Sequence, residues 1–177
     1  PMPAKNLRWG LLSTARINRA VIPPIRASAR GKLAAVASRD LAKAEAYANE
    51  WNIPKAYGSY EALLAANDID VVYLSLPNGL HAEWAIKCVE AGKHVLVEKP
   101  FALTVADVDK MADAAKRTGK VMAEAFMYRH HPQTLKAKEL IENGAIGEAL
   151  LVRASFTFNL TRTVDVRLDQ KLGGGSL

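Results

Sequence analysis

The sequence predicts the α/β class, with a doubly wound parallel sheet covered by helices on both faces. Three observations carry that prediction. Leu33–Ala37, Val71–Leu74 within the stretch Asp70–Leu76, and Val95–Val97 are short, continuous apolar runs, the composition of strands buried on both sides. Stretches with apolar residues at helical spacing stand between them, and strand and helix alternate five times. Towards the carboxyl end the pattern changes. Leu150, Val152, Ala154, Phe156 and Phe158 alternate with Leu151, Arg153, Ser155 and Thr157, a period of two that predicts a half-buried strand of a different sheet.

Bulk properties narrow the function classes. At 177 residues, half of them hydrophobic, the chain holds one ordinary domain, or one and part of a second, around a sizeable core. Cys88, the single cysteine, excludes an intramolecular disulfide and fits a reducing cytoplasm. With no charged-then-apolar leader and no apolar run of spanning length, a cytoplasmic location and no membrane partner are expected. The net charge of +6 is scattered, with no basic helix stripe and no interleaved aromatics, so no nucleic-acid partner is expected. The charge favours an anionic cofactor instead. No metal site is expected.

In chain order, Leu7–Leu12 reads as the first strand, and Ser13-Thr14-Ala15-Arg16-Ile17-Asn18 runs from it into a helix. A dinucleotide fingerprint wants glycine at three places across such a junction, and here Ser13, Ala15 and Asn18 occupy them. Backbone amides at the helix N-terminus still face a pyrophosphate, and the helix dipole still favours its charge. Ser13 and Thr14 add hydroxyl donors, Ala15 narrows the approach by one methyl group, and Asn18 predicts looser helix–strand packing. The second strand, Leu33–Ala37, ends in Ser38-Arg39-Asp40. An acidic residue at this place would hold the ribose 2′-hydroxyl of NAD, whereas Ser38 and Arg39 offer a hydroxyl and a guanidinium fork suited to the 2′-phosphate of NADP. A plain surface arginine is the alternative for Arg39. Asp40 reads as the cap of a helix with Leu41, Ala44, Ala48 and Trp51 as its core stripe.

Tyr57–Ala66 reads as a short helix beginning near Ser59, ahead of the third strand and its loop Pro77-Asn78-Gly79-Leu80-His81. Asn78 and His81 can reach a nicotinamide or its ribose; a capping Asn and a packed His are the other reading. The next helix buries Leu80, Trp84, Cys88 and Val89, which makes Cys88 a core residue and not a nucleophile. His94-Val95-Leu96-Val97 then runs into Glu98-Lys99-Pro100. Ligands of open α/β sheets sit beyond the carboxyl ends of such strands, so a lysine there is placed for proton transfer, unless the pair is merely a solvated end. Thr104 and Asp107 open a further helix as a capping box, with Val105, Val108, Met111, Ala112 and Ala115 on its expected buried face. Gly119 stops it, and Lys120–Ala123 begins another strand.

Four segments, Gly10–Ile17, Leu76–His81, Ala91–Pro100 and Tyr128-Arg129-His130-His131-Pro132, together resemble the Gfo/Idh/MocA oxidoreductases, named for glucose–fructose oxidoreductase and inositol dehydrogenase. The match keeps its order along nearly the whole chain. Ser13-Thr14-Ala15 with Ser38-Arg39 resembles the NADP-dependent xylose and dihydrodiol dehydrogenase branch. The resemblance implies a Rossmann-type NADP-binding domain over residues 1–125 and the beginning of a substrate and dimerisation domain over 126–177, α+β with a mainly antiparallel sheet. The implied activity is hydride transfer between a hydroxyl carbon of a sugar, polyol or trans-dihydrodiol and a nicotinamide, with NADP as cofactor and NAD as the other option. Cofactor contacts are implied for Ser13, Thr14, Ala15, Arg16, Ile17, Ser38, Arg39, Leu76, Pro77, Asn78, His81, Glu98, Lys99 and Arg167. Lys99 is implied as the catalytic residue, often followed by a cis bond to Pro100, and Lys99, Tyr128 and Arg129 as the substrate side.

A second catalytic residue, tyrosine in this branch and histidine elsewhere, follows a Gly-Gly-Gly-Ser-Leu in the family. Gly173–Leu177 matches that run, after Asp165-Val166-Arg167 and Asp169–Leu172, which favours a loop at a helix start over a flexible linker. The sequence therefore looks truncated. A homo-oligomer formed through the second-domain sheet is implied for the complete protein. The alternative function is a non-catalytic NADP(H)-binding sensor or subunit.

Overall fold

The fold is that of a computed structural model, which describes residues 6–159, 161, 165 and 168–174. The chain divides into two compact units, one of Pro1–Ala125 with Val166–Leu177 and one of Phe126–Asp165.

In the first unit the apolar runs become six strands: β1 Leu7–Leu12, β2 Gly31–Ala37, β3 Lys55–Tyr57, β4 Val71–Leu74, β5 His94–Val97 and β6 Met122–Glu124. Every neighbouring pair is parallel. The order is β3-β2-β1-β4-β5-β6, which is the doubly wound Rossmann order with its switch point between β1 and β4. Parallel strands need crossover helices, supplied here by α1 Asn18–Ala27, α2 Leu41–Glu50, α3 Tyr60–Ala65, α4 His81–Glu90 and α5 Val105–Thr118. On one face α1 and α2 bury Ile22, Ile25 and Ala48 against Leu11, Leu33, Val36 and Tyr73. On the other, α3, α4 and α5 bury Leu63, Trp84, Cys88, Val89 and Met111 against Leu12, Val72, Leu74 and Val97. Each fully buried Leu, Ile or Val stabilises the fold by about 1.5–3 kcal/mol. Burial of that kind holds α1, whose interior Pro23 and Pro24 remove two amides from its own ladder.

Local signals set most helix ends. Asp40, Ser59 and Thr104 each accept a first-turn amide, from Lys43, Ala62 and Asp107. Gly119 ends α5 at φ +65°, a left-handed conformation that glycine adopts without strain.

Four expectations are corrected. Tyr57 belongs to β3, a three-residue edge strand, and not to the helix, which starts at Tyr60 with Ser59 as its cap, as expected. On α5 the buried residues are Met111 and Ala114, while Val105 and Val108 are 78% and 37% exposed and Ala112 is exposed too. The helix meets the core with its later turns, so apolar residues in its first turn face water. On α2, Ala44 and Ala48 are buried, but Leu41 is half exposed. Finally, residues 149–159 form no strand, and Leu150, Val152 and Phe156 lie open to solvent. A strand exists only against a neighbour, and among the described residues none pairs with this segment.

The second unit contains a 3-10 turn, Met127–His130, and α6 Pro132–Glu142. Pro132 opens α6, where its missing amide has no partner to lose, and His131 Nδ1 accepts from the Gln133 amide. Among the described residues no helix is long and apolar enough to cross a membrane, and no acidic, His or Cys cluster could hold a metal ion.

Candidate functional site

The carboxyl ends of the strands carry the candidate residues, and side chains knit the loops there into a continuous rim. At the end of β1, Ser13 adopts φ +123°, a conformation L-residues rarely take and the fingerprint reserves for glycine. Its amide donates to Ala37 O at the end of β2. Its hydroxyl donates to Ser75 O at 3.2 Å and lies 2.9 Å from the Ser75 hydroxyl. Ser75 Oγ donates to Asn18 Oδ1 at 2.7 Å, and Asn18 Nδ2 returns to Ser13 O at 2.8 Å. The three side chains close a ring and are almost wholly buried. Asn18, at 0% exposure, therefore tightens the helix–strand junction, where looser packing was expected. The Ser13 hydroxyl also accepts the Ala15 amide at 3.1 Å, so neither group stands free for a phosphate. Among the described residues the amides of Arg16 and Ile17, just ahead of α1, have no acceptor. That leaves donors and the positive helix end facing outward.

At the end of β2, Ser38 is buried and accepts the Asp40 amide, while Asp40 itself caps α2. The carboxylate next to this strand end, Asp40, is thus engaged by the helix it caps. Arg39 is exposed, and its guanidinium faces the Tyr60 hydroxyl. Burial raises the Tyr60 phenol above its ordinary value, and Arg39 opposes that rise.

Beyond β4, Leu76 and Pro77 lead into a 3-10 turn, Asn78–Leu80, and then α4. Asn78 Nδ2 donates to Gly173 O at 3.0 Å, beside the 3-10 turn Gln170–Leu172 that Asp169 caps. His81 is fully buried. Its Nδ1 lies 2.7 Å from Pro100 O and its Nε2 2.8 Å from Leu76 O. Both ring nitrogens face backbone carbonyl oxygens inside the core, so its geometry is that of the packed histidine and not of a group reaching a cofactor.

Beyond β5, the Lys99–Pro100 bond is cis. Tyr73 Oη, buried in β4, donates to Glu98 Oε1, and Glu98 Oε2 accepts the Lys99 amide at 3.2 Å. Burial first, then the Glu98 carboxylate, raise the Tyr73 phenol well above its ordinary value, which keeps it the donor. Phe101 N donates to Glu124 Oε1 at the end of β6, at 3.0 Å. Lys99 itself is exposed and makes no ion pair among the described residues.

A family description, an oxidoreductase family with an NAD-binding Rossmann fold under the name GFO_IDH_MocA, matches residues 7–126. The chain belongs to this family. Among its Gfo/Idh/MocA relatives is D-xylose 1-dehydrogenase (NADP(+)) 2 of Haloferax volcanii, 44% identical over 97% of this chain and 53% of that protein. Another is trans-1,2-dihydrobenzene-1,2-diol dehydrogenase of Xenopus laevis, 37% identical over 96% of this chain and 52% of that one. Among solved structures, the 3-ketoreductase KijD10 from Actinomadura kijaniata in complex with NADP aligns with a TM-score of 0.76 at 34% identity, covering 81% of this chain and 46% of that one. The chain thus spans about half the length of the curated relatives it matches.

Within this Gfo/Idh/MocA domain the rim brings together the segments of Ser13–Ile17, Leu76–His81 and Glu98–Lys99, with Ser38 and Arg39 at the end of the adjoining β2. Tyr128 and Arg129 lie in the second unit, exposed, in its 3-10 turn. Arg167 lies outside the described residues. Sequence reasoning missed Tyr73, Ser75 and Glu124. The signals were a phenol inside an otherwise aliphatic strand and an acid at a strand end, both of which need a partner. Cys88 is core, its thiol pushed up to about 12 by burial.

Proposed function

We propose that this chain is the nucleotide half of an NADP-dependent oxidoreductase, which moves a hydride between a hydroxyl carbon of a sugar, polyol or trans-dihydrodiol and the nicotinamide. One observation carries the reading: at the end of β2 an exposed arginine stands where an acid would select NAD, and the neighbouring Asp40 is committed to a helix cap. The donor set also suits a dinucleotide. Arg16 and Ile17 present free amides at the α1 N-terminus, beside a sheet edge that meets the switch point. The names of the xylose and dihydrodiol dehydrogenases fit the same chemistry. When bound, the nicotinamide supplies the hydride acceptor or donor. Lys99, exposed at the end of β5, holds the substrate oxygen and carries or passes its proton, while Tyr128 and Arg129 contact the substrate.

The test is a fluorescence titration of this chain with NADPH and NADH. NADPH is expected to bind more tightly by about 1–3 kcal/mol, the worth of a well-formed guanidinium–phosphate fork. Arg39→Ala should remove that preference and leave NADH nearly unaffected. Equal affinities in the unaltered chain would take Arg39 out of the site.

A further inference from the structure

The peptide unit joining Pro100 to Phe101, directly after Lys99, is held at both ends by side chains from other elements, one a helix and one a strand. Its carbonyl oxygen lies 2.7 Å from His81 Nδ1, at the start of α4. Its N–H donates to Glu124 Oε1 at 3.0 Å, at the end of β6. Ahead of Lys99, Glu98 accepts the Lys99 amide and is itself held by Tyr73. The strand register supports the arrangement: Val97 pairs with Glu124, and Ala125 N donates to Val97 O, so Glu124 rises beside the turn from a fixed backbone. The lysine backbone is thereby fixed on both sides, while its side chain alone stays free. Side chains held on strands place a reacting group more precisely than a free loop does, and a misplacement of an ångström is enough to slow chemistry.

We propose that Glu124 is a positioning residue for Lys99, acting through the Phe101 amide, with His81 gripping the other end of the same peptide unit. Of these anchors Glu124 is the informative one, because it is exposed and its removal opens no cavity. His81 is fully buried and its loss would disturb the core. The proposal rests on the reading of Lys99 as the group that faces the nicotinamide.

The experiment is competitive acetylation of this chain with and without NADPH, followed lysine by lysine by mass spectrometry, with exposed Lys116 on α5 as internal reference. In the unaltered chain NADPH should slow acetylation of Lys99 and leave Lys116 unchanged. Absence of that protection would overturn the reading of Lys99 itself. Where protection is present, Glu124→Ala should weaken it about fivefold, the equilibrium weight of one net hydrogen bond, with Lys116 and NADPH affinity unchanged. Glu124→Gln keeps an oxygen for the Phe101 amide and should restore it. Full protection in Glu124→Ala, equal loss in both variants, or a loss of NADPH affinity would each overturn the positioning role while the reading of Lys99 stands.

Discussion

Asn18 is buried at the first position of α1, and both ends of its amide are in use, one towards Ser13 O and one from Ser75 Oγ. Glycine, the residue a dinucleotide fingerprint would place here, removes both bonds and orphans the buried Ser13 carbonyl, while the Ser75 hydroxyl keeps only the Ser13 hydroxyl. Such an orphan costs about 1–3 kcal/mol. Asn18→Gly is therefore expected to lower stability by about 2 kcal/mol or more in urea unfolding, although it moves the sequence towards the pattern. A stable Asn18→Gly protein would show that the ring with Ser13 and Ser75 carries little weight. Lys93 shows the same economy of side-chain use. Its Nζ donates to Ala66 O at the end of α3, and burial lowers its pKa from the ordinary lysine value. Within the Gly92-Lys93-His94 stretch, His94 Nδ1 accepts the Val121 amide. Part of the segment that carries the family resemblance therefore builds the sheet rather than its chemistry.

Elements whose signals are local were legible in the sequence, and elements that depend on distant partners were not. The caps at Asp40, Ser59 and Thr104 and the stop at Gly119 are written in a few adjacent residues, and the structure uses each of them. β3 exists because β2 offers it an edge, and three residues carry no period to read. The alternation at 150–158 was real as a pattern, yet a period of two makes no strand without a neighbour. The 3-10 turn after β4 depends on distant residues in the same way. Its Asn78 meets Gly173, and Gly79 lies so close to Leu172 that a Cβ would sit 3.2 Å from the Leu172 carbonyl carbon. Asn78→Ala should free that segment: hydrogen exchange at the amides of Leu172, Gly173 and Gly174 is expected to rise about fivefold, while β4 stays protected. Unchanged exchange there would mean that backbone contacts alone hold the segment.

For the molecule as a whole, the residues proposed for the cofactor lie in the first unit, together with Lys99, and Tyr128 and Arg129, proposed for the substrate, in the second. The sheet order, the free amides before α1, Arg39 and the rim are all in the first unit, so this chain should bind NADP(H). The doubly wound parallel sheet was readable because most of its strands are continuous apolar runs; the rim was not, because it joins residues as far apart in sequence as Ser13 and Ser75. Lys99 offers a decisive test of the division. It is exposed beyond β5, and the donors proposed for the cofactor phosphates belong to the loop after β1. Its loss should therefore leave NADPH affinity largely unchanged in this chain. Turnover needs a positioned proton-transfer group beside the substrate hydroxyl, so in a protein of the relatives' length Lys99→Met should reduce it by roughly a hundredfold or more. NADPH titration of the 177-residue chain and steady-state kinetics of the longer protein, each with and without Lys99→Met, measure the two halves independently. Full activity of the longer Lys99→Met protein on every substrate the unaltered protein turns over would remove the lysine from the chemistry, whatever its place at the sheet edge.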